Sequence, residues 1–93
     1  MMQSQWPKTL DEAVKICLLT LTPTEKQALR NTSEDNMIMF HFGWAMNIRN
    51  EFGMWEGNTE LVESCGASEP DGASMAIVRA VWKELNRRPK DTT

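Results

Sequence analysis

Between Ser33 and Glu51 the chain reads SEDNMIMFHFGWAMNIRNE, and this stretch decides the fold class. Thr32 and Ser33 offer hydroxyl groups to cap a helix, and Glu34 and Asp35 place negative charge in its first turn. Met37, Ile38, Met39, Phe40, Phe42, Trp44, Ala45, Met46 and Ile48 then follow. At about 100° per residue they occupy most of the circumference of a helix. A helix that is apolar nearly all round belongs in the middle of a core. Its polar positions, Asn36, Gly43, Asn47 and Asn50, fall along one line. The expected architecture is all-α, a small bundle of four to five helices around this apolar central helix.

Both flanks of this stretch carry helix signals. Upstream, Thr9-Leu10-Asp11-Glu12 predicts a capping box, with the Thr9 hydroxyl on the Glu12 amide and the Glu12 carboxylate on the Thr9 amide. Leu10, Val14, Cys17, Leu18 and Leu21 recur at helical spacing beyond it, widened by Ala13 and Ile16. Thr22-Pro23-Thr24-Glu25 repeats the cap with proline in the first helical position, predicting a short helix to about Arg30. Downstream, Gly53 suits a left-handed helix end, and Trp55-Glu56-Gly57-Asn58 predicts a turn. Asn58 then caps a brief helix from Thr59 to Ser64, closed by Gly66. The last helix, from about Ala73 to Arg87, gathers Met75, Val78, Val81, Trp82 and Leu85 on one side.

At 93 residues one such chain buries roughly 60–65% of its unfolded surface, enough for one core without disulfides or metal. The expected organisation is therefore a single helical domain over residues 1–93, fraying at about 1–5 and 89–93. A net charge of −3 opposes contact with phosphate backbones, so nucleic acid is not an expected partner. The basic group Arg87, Arg88 and Lys90 reads as complement to a helix C-terminus. No stretch approaches the roughly 18 apolar residues of a membrane span, and the N-terminus has no signal-peptide pattern. Cys17 and Cys65 are then expected as reduced thiols in the cytoplasm.

No motif assigns chemistry. His41, the only histidine, falls among Met37, Trp44 and Ile48 on the helical wheel and reads first as a packed core residue. There is no paired metal-ligand spacing, no nucleophile elbow and no phosphate-cradling glycine loop. Hence no catalytic residue, metal or cofactor is expected. Glu56, Glu60, Glu63, Glu69 and Asp71 read as a solvated acidic face, with a basic partner as the alternative. Trp6 and Trp55, near turns, either lid the core or anchor a partner.

His41-Phe42-Gly43, Ile48-Arg49-Asn50, Phe52-Gly53, Trp55, Gly57 and Asn58 together resemble a family of short, functionally uncharacterised bacterial domains. The likeness extends to Trp6-Pro7, to Thr9 through Glu12 and to a Pro70-Asp71 start of the final helix. The resemblance implies a bacterial source and directs attention to His41, Arg49, Asn50, Trp55 and Asn58. Arg49 reads as a tie between the third helix and the Trp55 turn, or as part of a small-anion site with His41 and Asn50. His41 and Arg49 would lie about 80° apart around one helix, which makes sharing a ligand difficult.

Three functional classes remain open. The first is a non-enzymatic interaction or regulatory module that binds a protein, or itself, through the Trp55 to Asn58 turn and exposed methionine or tryptophan surface. The second is a small-ligand or enzymatic site at His41, Arg49 and Asn50. The third is an inhibitor of a larger bacterial or phage system.

Overall fold

Thr9 and Thr22 begin the first two helices as their chemistry requires. In the computed structural model, which describes residues 6–40 and 43–87, α1 spans Leu10–Thr20 and α2 spans Pro23–Arg30. The Thr22 cap is reciprocal: the Glu25 amide donates to Thr22 Oγ1 at 3.1 Å, and the Thr22 amide donates to Glu25 Oε1 at 2.9 Å. The Thr9 cap is not. Its hydroxyl oxygen accepts from the Glu12 amide at 3.2 Å, but the Glu12 carboxylate accepts from the Lys8 amide, one residue earlier than expected. Ala13 and Cys17 are the buried residues of α1. The leucines of the stripe and Val14 are only partly covered, packing against the core's edge, because a small residue is what lets α1 approach its neighbour closely.

The largest difference from expectation lies in the central stretch, which is not one helix. Glu34–Phe40 forms a 3₁₀ helix, and α3 runs separately over Trp44–Glu51. Gly43 stands at its N-terminus with φ −113° and ψ −93°, outside helical space. A continuous helix apolar on all sides would need neighbours on all sides, which a chain of this size cannot supply. Breaking it sends Met37 inward from one segment and Ala45 and Ile48 from the other, all at most 3% exposed. Met39 and Met46 remain on the surface.

The middle of the bundle belongs to the last helix. Its first turn opens at Pro70, where the missing N–H leaves nothing unsatisfied, so α5 runs over Pro70–Arg87, the start implied by the resemblance rather than by periodicity. It contacts α1, α2, α3, the 3₁₀ segment and α4, which spans Thr59–Ser64. Ala73, Ile77, Val78 and Val81 are fully buried, with Met75 and Leu85 nearly so. Trp82 is partly buried; its indole N–H donates to the Thr32 carbonyl at 2.8 Å, holding the end of α2 against α5. The Leu10 amide donates to Ser64 Oγ at 2.8 Å and joins the start of α1 to the end of α4. No strand occurs among the described residues. The architecture is all-α, a small helical bundle. None of its described helices is long and apolar enough to cross a membrane. The fraying expected at 1–5 and 89–93 concerns residues outside those described, as does any role of His41.

Candidate functional site

Gly53 and Gly57 hold φ of +69° and +103°, a region that side chains with a Cβ rarely enter. Together they fold Met54–Glu56 into one 3₁₀ turn between α3 and α4. The amides of Glu56 and Asn58 both donate to the Gly53 carbonyl, at 3.0 and 3.1 Å. Asn58 was expected to cap α4 with its side chain, yet it makes no such bond. Instead it is buried, and Nδ2 donates to the carbonyls of Pro7 and Phe52 at 2.9 and 2.8 Å. Asn58 thus ties the N-terminal segment to the end of α3. The Trp6 ring lies flat on Gly53: a Cβ there would stand 2.5 Å from Trp6 Cδ2.

A turn held this firmly still presents Trp55 at 59% exposure. The reason is geometric. Successive residues of a 3₁₀ turn point about 120° apart, and Met54 is the one directed into the core. Glu56, Glu60 and Glu63 surround the next turns as exposed carboxylates. Lys8 meets one of them, its Nζ lying 3.3 Å from Glu60 Oε1.

Arg49 is deeply buried, on the inner face of α3 beside Ala45, Ile48 and Phe52. Its Nη1 donates to Ser74 Oγ at 2.9 Å, and its Nε lies 3.5 Å from the Asp71 carboxylate. The Ser74 hydroxyl in turn donates to the Asp71 carbonyl at 2.9 Å. Arg49 thus ties α3 to the start of α5, a connection that the sequence reading did not include. A cation at a helix N-terminus is opposed by the helix dipole, and the Asp71 carboxylate offsets that field. Asn50 lies exposed on α3. Of the five residues marked by sequence, then, Arg49 and Asn58 join separate parts of the framework, Asn50 and Trp55 face solvent, and His41 lies outside the described residues.

A groove that no motif announced opens where α1 turns into α2 and meets α3. Two adjoining hollows of about 360 and 240 Å³ share Leu21, Glu25, Trp44 and Asn47. The smaller also reaches Ile48, Glu51 and Cys17. Burial, and secondarily the Glu51 carboxylate, pushes the Cys17 thiol from 9.0 up to about 12, and burial pushes Cys65 up to about 11. Both are free thiols that stay protonated at neutral pH, which removes the thiolate that nucleophilic chemistry requires. Among the described residues no three His, Cys, Asp or Glu side chains are placed to hold a metal ion.

One family model, described as a domain of unknown function (DUF6794), matches residues 6–85. That span takes in Trp6, the Gly53–Asn58 turn and α5 through Leu85. No curated protein and no solved structure matches the chain.

Proposed function

Because this chain belongs to the DUF6794 family, a domain of unknown function, we propose its role from the geometry: a single-domain, non-enzymatic module that binds a protein through Trp55. The observation that carries this reading is the contrast between a rigid turn and its exposed aromatic. Two left-handed glycines, the buried Asn58 and the Trp6 ring fix the backbone from Phe52 to Thr59, while Trp55 itself remains largely in solvent. An aromatic side chain on a preordered backbone loses little entropy on binding and buries a large area, the properties of an interface anchor. The free thiols of Cys17 and Cys65 support a cytoplasmic setting. A ligand site on Arg49 has less support, since its guanidinium is buried against Ser74 and Asp71.

The test is capture from lysate of the source organism by wild type and Trp55→Ala side by side, followed by titration of the purified partner. Truncating an anchor costs at least about 2 kcal/mol, so the variant should bind roughly 30-fold more weakly. Its stability should change by less than about 0.5 kcal/mol, as for other exposed positions. Equal affinity in a folded variant would remove Trp55 as the anchor. If the captured protein is the chain itself, sedimentation should show a dimer that Trp55→Ala dissociates.

A further inference from the structure

We propose that the groove between the α1–α2 corner and α3 docks a cationic amphipathic segment of a partner protein, with an apolar side chain against Leu21 and Trp44 and a flanking lysine or arginine facing Glu25 and Glu51. The two hollows share four residues and so form one continuous depression. Each is large enough to admit a side chain or two, and far too small to engulf a helix. The larger hollow is mainly apolar, while the smaller, which Glu51 lines, is polar and apolar in about equal measure. Every charged residue that lines them is acidic, namely Glu25 and Glu51, with no lysine or arginine among the lining residues.

Neither Glu25 nor Glu51 has an ion-pair partner among the described residues, and what sets them apart from the other unpaired carboxylates of the surface is that both line this groove. Glu25 Oε1 accepts from the Thr22 amide in the α2 cap, and its carboxylate stands exposed at the groove's edge. The charge of Glu51 reaches the floor, where it helps to keep the Cys17 thiol protonated. A groove with an apolar end at Leu21 and Trp44 and two carboxylates on its lining selects for a ligand that is apolar in the middle and cationic beside it. Excluding water from the hollow strengthens that attraction. The surface is separate from the Trp55 anchor and stands or falls independently of it.

The experiment follows the Trp44 indole N–H and the Asn47 side-chain amide by NMR in the full isotope-labelled chain. The probes are a short capped peptide of alternating leucine and arginine and its counterpart with glutamate in place of arginine. The arginine peptide should shift both signals saturably, and the glutamate peptide should not. Glu25→Gln combined with Glu51→Gln should weaken binding about tenfold or more, while Trp55→Ala should leave it unchanged. Glutamine at position 25 still satisfies the capping box, and Glu51→Gln alone, on an exposed side chain, provides a variant with the cap untouched. Absence of shifts, equal response to both peptides, unchanged affinity in both glutamine variants, or loss of binding in Trp55→Ala would each overturn the proposal.

Discussion

Replacing Gly53 with alanine sets a methyl group against an aromatic ring in a backbone conformation that already disfavours it. At φ +69° alanine costs about 1 kcal/mol relative to glycine. The new Cβ would also stand 2.5 Å from Trp6 Cδ2, so the ring must leave its seat. Full truncation of a buried tryptophan costs about 3–5 kcal/mol; for the half-buried Trp6 roughly 2 kcal/mol is appropriate. Gly53→Ala should therefore cost about 3 kcal/mol, which lowers the melting temperature of a domain this size by about 12–24 °C. A double-mutant cycle by urea unfolding, followed by circular dichroism, separates the two contributions. In the Trp6→Ala background the ring is already gone, and Gly53→Ala should cost only its conformational strain of about 1 kcal/mol. The double variant should then lose about 3 kcal/mol where independent effects would sum to about 5. Additivity would refute the packing of Trp6 on Gly53, and a cost near 1 kcal/mol for Gly53→Ala alone would do the same.

Three further outcomes test the framework. Arg49→Met keeps the apolar stem and should cost about 1 kcal/mol or less, whereas Arg49→Ala also opens a cavity beneath Ser74 and should cost about 3 kcal/mol. A methionine variant less stable than the alanine one would contradict the structural role of Arg49. Trp82→Phe removes the indole bond to the Thr32 carbonyl and should cost about 1 kcal/mol. Trp82→Ala should reach roughly 2 kcal/mol, below the 3–5 expected for a fully buried tryptophan. Both are read from denaturant midpoints, and no loss in the phenylalanine variant would dismiss the bond. Cys17 makes stability depend on alkaline pH: the unfolded thiol ionises near 9.0 and the folded one near 12. Its contribution is intact below pH 9.0 and is lost progressively as the pH rises towards 12. The urea midpoint of Cys17→Ala should accordingly fall less steeply on the alkaline side than that of wild type, and parallel curves would show that the thiol is not buried as described.

The elements that sequence reading located correctly are those with local causes. The Thr22 cap with Pro23, the short α4 closed by Gly66 and the inward face of α5 each depend on residues within a few positions of one another. Leu19 falls outside the α1 stripe and is 84% exposed, as that periodicity requires. Trp82 lies on the expected face of α5, and how far it is covered depends on how α2 ends at Thr32 rather than on α5 itself.

The stretch from Ser33 to Glu51 shows where local reasoning ends. Its composition demands burial but does not say which element surrounds it, and a continuous helix was the simplest assignment. Neighbours on every side were not available, so the chain breaks at Gly43 and α5 takes the centre. The candidate site divides in the same way. That Trp55 sits in a glycine-bounded turn is determined by the sequence alone, because left-handed glycines are short-range chemistry. That Trp55 faces solvent while Arg49 and Asn58 turn inward to Ser74, Pro7 and Phe52 was decided only by the tertiary structure. Those partners lie up to 51 positions away along the chain, and no local pattern records which distant carbonyl or hydroxyl a buried polar group will meet. The groove between α1, α2 and α3 arises likewise from packing, since its walls come from three helices whose separate sequences carry no trace of the space between them.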